Sequence, residues 1–379
     1  TTAARAPLSG YHEFVLPSTL LTKVKTFSVA QNTTSYATLL TAFKLMLAQH
    51  AHMNDICIGT PVAGRENAQI RDLIGYFVNT VVIRTQLEGN PTVVELIERV
   101  KDSTLGAFAN QDVPIERVLD ALQLERNFSY PPVAQVGFSF INDQMAHITQ
   151  KLGDINIEPL QFETVIAKYD LTLILIENTD VINATVEYNT DLFDASTIAH
   201  MMRHFVHLLE QCLEHSNWNI NNLSMLTHDE LCAATGADVL QTERIVPLTP
   251  MQTDLYLYQQ LHPATRANQM GYHCELPFAL DIDRLRQAFQ ILADNSTTLR
   301  TTIRSNRFAY GDIAWQCIAR PSPIALEFAD LSSRTLSDDQ LTSYVHEFIY
   351  RPYKLEGEPP VRYNITKLGD ASYVAIVGM

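Results

Sequence analysis

The stretch Ile74–Arg84, IGYFVNTVVIR, constrains the fold of this chain more than any other. β-Branched and aromatic residues dominate it, which is typical of a strand that fills a largely buried sheet surface. One amide, Asn79, lies in the middle, and an amide buried without hydrogen-bond partners costs about 1–3 kcal/mol. We therefore interpret Asn79 either as a structural pin or as a residue of a functional site, and Arg84 as the cation that ends the run.

The composition limits the classes of function. The chain has 379 residues and a formal charge of −15, which disfavours a surface that follows nucleic-acid phosphates or an anionic membrane. Its five cysteines are scattered without a CxxC pair, which indicates neither a disulfide framework nor a zinc ribbon. The sequence has no uninterrupted apolar run of about 18 residues. We therefore expect a cytoplasmic protein with no nucleic-acid partner and no membrane partner.

Helical and strand-like patterns alternate along the chain, which predicts an α/β layered architecture. The predicted helices are two within 17–52, then Thr92–Ala109, Ile115–Leu122, Ala195–Glu214, Asp281–Leu292 and Ser337–Arg351. The predicted strands are Asp55–Val62, Ile74–Arg84, Pro131–Ile141, Tyr169–Glu177, Ile182–Asn189, Thr298–Ser305, Ala314–Ala319, Pro360–Leu368 and Tyr373–Val377. The polar stretch 223–246 predicts a connector with a short helix and no sustained strand.

Two further motifs follow the first stretch, NQDVPIE at Asn110–Glu116 and ERNFSYPPVAQVGFSF at Glu125–Phe140. Together the three resemble the IGxFVNTxxxR, (H/N)QDxPFE and RNPLF-like signatures of condensation domains in nonribosomal peptide synthetases. They occur in the family's order and near its spacing. Tyr130-Pro131-Pro132 departs from the usual middle of the third signature.

In that family the second signature, which includes Gln111, Asp112 and Pro114 here, leads into a loop that closes over a channel between two lobes. A plain turn in which Asp112 caps the helix from Ile115 is the alternative interpretation, and the two are compatible. Asp170 precedes an apolar run and is interpreted either as a turn or strand-end residue or as part of the path of the acceptor substrate.

The last third of the chain resembles the opening half of the same family. PLTPMQ at Pro247–Gln252 resembles the first family motif, and Leu299-Arg300-Thr301 matches the LRT of RHExLRTxF, although Asn295-Ser296-Thr297 stand where RHE is expected. Arg362 resembles a family arginine that holds the catalytic loop through a salt bridge, with an exposed strand-end arginine as the alternative. The catalytic HHxxxDG motif would begin after Met379 and is absent from the sequence.

The resemblance implies an α/β fold of two chloramphenicol-acetyltransferase-like lobes. Residues 1–232 would be a C-terminal, acceptor-side lobe, 233–246 a linker, and 247–379 the N-terminal, donor-side lobe of a following domain, which stops before HHxxxDG. It also implies part of a synthetase that forms amide bonds between carrier-bound aminoacyl or peptidyl thioesters.

The resemblance implies peptidyl or aminoacyl carrier domains and neighbouring synthetase domains as partners. Phosphopantetheine would belong to the carrier domains, so no directly bound cofactor is expected. Because HHxxxDG is absent, we assign no catalytic residue and expect the chain alone to be inactive. The alternative is a non-catalytic tandem that docks carrier domains or acts as a gatekeeper.

Three histidines, His200, His204 and His207, share one face of a predicted helix at a spacing that can bind a metal. Apolar residues interleave with them and no carboxylate lies between them as in HExxH, so we expect a solvated helix face and no metal site. The run HAHMND at His50–Asp55 is interpreted as a surface helix terminus.

Overall fold

The computed structural model describes residues 8–65, 68–123, 133–142, 151–152, 155–156, 167–305, 314–323, 325–359 and 361–379. The departure at Tyr130-Pro131-Pro132 and the first half of the third motif therefore lie outside the described residues. The chain divides into two compact units, Thr1–Met225 and Leu226–Met379. The assignment of 1–232 and 247–379 to lobes of two successive domains stays a prediction.

The first unit is built on a six-stranded mixed sheet with the strand order β1-β8-β7-β4-β2-β3. The pairs β2–β4 and β4–β7 are parallel and the others antiparallel. The strands of this sheet are β1 (Ser9–Leu16), β2 (Asp55–Val62), β3 (Asn79–Gln86), β4 (Val136–Asn142), β7 (Leu171–Glu177) and β8 (Ile182–Asn189). The short strands β5 (Lys151–Leu152) and β6 (Ile155–Asn156) form a separate two-stranded sheet. Its helices are α1 (Ser18–Ala30), α2 (Ser35–Ala51), α3 (Val93–Ala109), α4 (Ile115–Leu122) and α5 (Ala195–Glu214), and Ile220–Asn222 forms a 3₁₀ turn.

One face of this sheet carries the core. Ile58 of β2, Ile83 of β3 and Phe138 of β4 are fully buried in one cluster with apolar residues of α1, α2, α3 and α5. Side chains alternate between the two faces of a sheet, so the residues between them face away from the helical layer. Helices α2 and α5 pack against each other, and their mostly apolar inward faces explain why these long helices form where the sequence predicts them.

The cation of Lys44, on α2, lies completely buried inside this core. Its ammonium donates hydrogen bonds of 2.7 Å to the carbonyl of Ile83 and to Oγ1 of Thr85 on β3. Burial disfavours the charged form and lowers the pKa of Lys44 to about 7. The side chain therefore joins α2 to β3 through two hydrogen bonds. The amine can donate them in its neutral form as well as in its protonated form.

Lys44→Met is expected to change how stability depends on pH. The folded pKa is depressed below the usual lysine value, so between pH 7 and about 10 the unfolded chain binds more protons and stability rises with pH. For a pKa of about 7, the wild-type unfolding free energy should rise by about 2 kcal/mol from pH 7 to 9 because of this group, a rise that Lys44→Met should lack. Urea unfolding followed by Trp218 fluorescence in a Trp315→Phe background reports on the first unit, and equal pH slopes in the two proteins would contradict the assignment. Lys23→Met, at an exposed ion pair with Glu214, is the control.

The second unit has two smaller sheets. One has the order β10-β15-β14-β13 with β13–β14 parallel, and the other is the antiparallel β11-β12-β9. Its strands are β9 (Thr242–Pro247), β10 (Gly271–Leu276), β11 (Thr301–Ser305), β12 (Ala314–Ala319), β13 (Leu326–Asp330), β14 (Arg362–Gly369) and β15 (Ser372–Gly378). Its helices are α6 (His228–Thr235), α7 (Pro250–Leu261), α8 (Ile282–Asn295) and α9 (Asp338–Ile349), with a 3₁₀ turn at Thr297–Arg300. Among all described residues, no helix has the length and apolar character that a membrane crossing requires.

Most of the predicted elements are confirmed, and the ends of the helices agree within three residues. The capping box of Ser337 and Gln340 predicted for α9 is also present, and β14 and β15 form the predicted hairpin. The predicted strand at Thr298–Ser305 begins later, at Thr301, because the residues before it form a 3₁₀ turn.

Two predictions are wrong in part. Residues 74–78 are not in the strand. The pairing of β2 with β3 ends at Val62 and Asn79, so the residues before Asn79 have no partner in β2. Ile74 and Tyr76 are accordingly 105% and 86% exposed. The predicted connector 223–246 contains a strand, because β9 pairs with β12 and buries Ile245. Strand β1, which pairs along its whole length with β8, was not predicted from the sequence.

Candidate functional site

A cavity of about 620 Å³ lies within the first unit, at the beginning of β3. A volume of this size is typical of small-molecule sites. Residues of all three sequence motifs line it, together with the turn before β7. The lining residues are Gly64, Tyr76, Phe77, Val78, Asn79, Thr80, Val82, Gln111, Asp112, Pro114, Ile115, Glu116, Leu119, Val133, Ala134, Lys168 and Tyr169.

Asn79 joins the two motifs. Its Nδ2 donates to the backbone carbonyls of Gln111 at 2.7 Å and Val113 at 2.8 Å, while its Oδ1 accepts the N–H of Thr80 at 2.8 Å. The amide therefore holds the segment between α3 and α4 against the first residues of β3. The interpretation of Asn79 as a structural pin fits these contacts, and its place in the cavity wall keeps it beside the candidate site as well.

Asn79→Ala is expected to lower the unfolding free energy of the first unit by about 1–3 kcal/mol, because two backbone carbonyls lose their donor and each such bond contributes about 0.5–1.5 kcal/mol. Asn79→Asp is the matched variant: its carboxylate can still accept the Thr80 N–H but places negative charge beside the Gln111 and Val113 carbonyls. We expect the Asp variant to be at least as destabilised as the Ala variant. Urea unfolding followed by Trp218 measures both, and variants as stable as the wild type would show that Asn79 is not a pin.

Helix α4 begins differently from the sequence prediction. Its N-cap residue is Pro114, which makes no side-chain capping bond to the helix. The prediction that Asp112 caps the helix is therefore wrong, because Pro114 takes the cap position with its fixed φ. The side chains of Asp112 and Glu116 stay exposed at the cavity edge, and Lys168 belongs to the same cavity lining.

Arg65, which no sequence pattern singles out, organises another wall. Its guanidinium donates to four backbone carbonyls at 2.6–3.2 Å. It also lies 4.5 Å from the ring centroid of Phe77. The carbonyl partners belong to Ile70, Arg71, Leu73 and Gly75. A planar, multidonor group is suited to gathering several acceptors, and this one shapes the loop that leads into Tyr76–Val78 of the cavity.

Arg65→Lys is expected to loosen this loop, because one ammonium cannot replace a fork with donors in fixed directions. A loss near 1.4 kcal/mol in local stability corresponds to about a tenfold higher open population. Cleavage by chymotrypsin near Tyr76 should then be about tenfold faster, since proteolysis follows that population when opening is rapid. Arg71→Lys in the same loop is the control, and equal cleavage rates for the wild type and Arg65→Lys would contradict this role.

The other predicted site residues of the first unit lie outside the cavity lining. Arg84 forms an exposed two-bond ion pair with Asp55, with Nη2 at 2.6 Å from Oδ2, and its guanidinium lowers the pKa of that carboxyl. Asp170 follows the cavity residue Tyr169. Its backbone N–H donates to the carbonyl of Gln135, and its carbonyl accepts the N–H of Asn189. Burial raises the pKa of Asp170. These contacts fit the strand-end interpretation of Asp170.

In the second unit, Arg300 and Arg362 are held by contacts of their own. The side chain of Arg300 is buried and bonds Glu243 at 2.7 Å, the carbonyl of Ala293 at 3.0 Å and the carbonyl of Ala319. It therefore joins the end of α8 to β9 and β12.

Arg362 lies 3.6 Å above the Tyr353 ring centroid and donates to the carbonyls of Arg351 and Pro352 and to Glu358. Its side chain is 11% exposed. The alternative of an exposed strand-end arginine is therefore wrong, because the turn before β14 wraps around this group. Arg362 also lines a second cavity of about 380 Å³.

The expectation of a solvated histidine face is wrong for His204. His200 is exposed, but His204 is buried and its Nδ1 lies 3.1 Å from Nε2 of His50 on α2. His50 is half-buried, so the surface-terminus interpretation is also incomplete, and burial lowers the pKa of His50 to about 4. The face packs inward because α2 and α5 share the core. Within the described ranges, no group of three or more His, Cys, Asp or Glu side chains is arranged to hold a metal.

Comparison with known proteins identifies relatives of the chain. A family model described as "Condensation domain" matches residues 7–231 and 242–379. One of the linear gramicidin synthase proteins of Brevibacillus parabrevis is 41% identical over 216 residues, which are 56% of this chain and 3% of that protein. Malpinin synthetase of Mortierella alpina is 37% identical over 227 residues, 59% of this chain and 3% of that protein. The chain thus spans a small fraction of the length of these curated relatives.

Solved structures with related folds cover a similar share of the chain. The X-domain from teicoplanin biosynthesis has a TM-score of 0.54 and 27% identity, covering 59% of this chain and 52% of that chain. The same X-domain in complex with OxyB has a TM-score of 0.53 and 26% identity, covering 59% and 50%. A four-domain nonribosomal peptide synthetase bound to AMP and glycine has a TM-score of 0.54 at 22% identity, covering 59% and 18%, and supports the fold alone. The predicted α/β fold class of the chain is confirmed.

Proposed function

The chain belongs to the condensation-domain family, whose model matches nearly all of it, and we propose that it is part of a nonribosomal peptide synthetase that forms amide bonds. In this proposal the substrates are aminoacyl or peptidyl thioesters on partner carrier domains. The observation that carries it is the meeting of the IGYFVNT and NQDVPIE motifs at one cavity, joined by Asn79.

The proposed role of this cavity is to hold the acceptor, the aminoacyl group whose amine is acylated. When the amide forms, a C–N bond is made, the thioester C–S bond breaks, the amine loses a proton and the sulfur leaves on the donor carrier's arm. Asp112 and Glu116 at the cavity edge carry negative charge that favours an ammonium group before it is deprotonated. The phosphopantetheine arm is supplied by the carrier domain. The residues of this chain would bind and orient the acceptor that the arm carries.

The division of labour along the chain is part of the proposal. Residues 1–232 would be the acceptor-side lobe, 233–246 the junction, and 247–379 the donor-side lobe of a following domain. No HHxxxDG occurs in the sequence, and a base of that kind must lie within hydrogen-bond reach of the attacking amine. The chain alone is therefore expected to bind acceptors without forming product. Its expected location is the cytoplasm.

The test uses the whole 379-residue chain and a carrier domain loaded with glycine through a stable amide in place of the thioester. We expect saturable binding to the wild type and weaker binding to Asn79→Asp, whose carboxylate repels the carbonyls that shape the cavity. Incubation with separately loaded donor and acceptor carriers should give no dipeptidyl carrier. Failure of the loaded carrier to bind would contradict the acceptor role, and dipeptidyl product from the chain alone would contradict the expected inactivity.

A non-catalytic docking or gatekeeping role is the second candidate. A structure of the similar X-domain in complex with OxyB supports it, because that relative binds another protein. The two roles differ in what the cavity must recognise. A docking module should bind unloaded and glycyl-loaded carriers equally well, whereas an acceptor site should bind the loaded carrier more tightly.

A further inference from the structure

The face of the sheet opposite the helical core has a shallow notch where two glycines lie side by side. Gly59 of β2 and Gly137 of β4 are paired in the parallel ladder, and each lies next to a residue that faces the core. Neither glycine has a positive φ, so the backbone does not require glycine at these positions. What they provide is space on the cavity side of the sheet.

The ring of Tyr169 fills this notch. A methyl group at Gly59 would lie 2.8 Å from the Tyr169 hydroxyl oxygen and 3.1 Å from its Cζ. One at Gly137 would lie 3.0 Å from Cδ2 of Tyr169 and equally close to Cγ2 and Oγ1 of Thr172. Contacts this short are repulsive, so a side chain at Gly59 would displace the ring, and one at Gly137 would displace the ring or Thr172. One edge of the ring thus rests over β2 and the other over β4, and the same ring lines the cavity.

The polar end of this side chain lies over Gly59, and the side chain belongs to the cavity lining. Within the described part of the chain, the hydroxyl of Tyr169 makes no hydrogen bond, and the Lys168 ammonium lies 5.5 Å from the ring centroid. Tyr169 is half-buried and belongs to the cavity wall. A phenol in this position can donate or accept one hydrogen bond while its ring forms a wall.

We propose that Tyr169 is a specificity-determining residue: its ring sets the depth of the cavity and excludes bulky acceptor side chains, and its hydroxyl hydrogen-bonds the bound acceptor. This inference rests on the proposed acceptor role of the cavity and names its substrate class, aminoacyl groups with small side chains. The ring forms part of the cavity floor. Because the residues beneath it are glycines, a smaller side chain at position 169 would leave the space above them open. From the sequence, Tyr169 was predicted to be the first residue of a strand, since nothing in the pattern YDLTLILIE distinguishes a cavity wall from a ladder residue.

The experiment compares the affinities of glycyl-pantetheine and phenylalanyl-pantetheine, each with an amide in place of the thioester, by calorimetry on the whole chain. Tyr169→Phe should weaken both about two- to tenfold, the loss of one hydrogen bond. Tyr169→Ala should raise the ratio of phenylalanyl to glycyl affinity about tenfold or more, because a pocket enlarged by a ring accepts a larger side chain. Tyr169→Leu covers the notch with a smaller apolar group and should shift the ratio in the same direction.

Tyr188→Phe is the matched control, because Tyr188 also packs over a glycine of a neighbouring strand, Gly10, but does not line the cavity. It should leave both affinities unchanged. Gly59→Ala should push the ring of Tyr169 towards the ligand and weaken the phenylalanyl probe more than the glycyl probe. Thermal melts confirm which variants are folded.

The outcomes distinguish a failure of the acceptor role from a failure of the inference. A wild-type chain that binds neither probe contradicts the acceptor role and the inference with it. A wild-type chain that binds them, with an affinity ratio unchanged in Tyr169→Ala and Tyr169→Leu, overturns the inference and leaves the acceptor role standing. An effect of Tyr188→Phe equal to that of Tyr169→Phe would also overturn it.

Discussion

The arrangement of the first unit around its cavity depends on the hydrogen bonds that Asn79 donates to the carbonyls of Gln111 and Val113. The segment that contains these carbonyls leads into α4, whose N-cap residue Pro114 makes no side-chain capping bond. Without the amide, the two carbonyls would need water or another donor. One side chain therefore fixes the distance between two sequence motifs that lie about thirty residues apart.

The same sheet serves two purposes, one on each face. On one face Ile58, Ile83 and Phe138 pack into the helical core, where Lys44 is buried as well. On the other face, alternate residues of the same strands border the cavity, either directly or, as Gly59 and Gly137 do, beneath the ring of Tyr169. Residues of one face therefore stabilise the helical core and residues of the other face border the cavity, while Asn79 contributes both to stability and to the proposed binding. The buried amine of Lys44 belongs to the core face and has no part in the proposed function.

Much of the fold could be predicted from the sequence, because long amphipathic helices such as α2 and α5 and the alternating strand β7 have strong periodic patterns. The errors have local causes. IGYFV has the composition of a strand, but residues 74–78 have no partner strand because β2 ends at Val62. β9 was missed because its residues Thr242, Glu243 and Arg244 are polar, and only pairing with β12 makes them a strand.

The candidate site was predicted in part. Asn79, Gln111, Asp112 and Pro114 do meet at one cavity, which a family pattern can suggest and a single strand pattern cannot. The four other predicted site residues do not line it, namely Arg84, Asp170, Arg300 and Arg362. Arg65 and Tyr169 were missed, because their roles come from contacts with backbone carbonyls and with glycines of neighbouring strands, and neither kind of contact has a signature in local sequence. The burial of His204 was missed for a related reason, since its partner His50 lies on another helix.

The most direct measurement is a crystal structure of the chain with glycyl-pantetheine in its amide form. We predict that the ligand lies between Val78 and the segment Gln111–Pro114, and that Nδ2 of Asn79 still donates to the carbonyls of Gln111 and Val113. A ligand bound elsewhere on the first unit would contradict the assignment of the cavity. An Asn79 amide that leaves the carbonyls to bind the ligand would contradict its role as the joint that holds the cavity together.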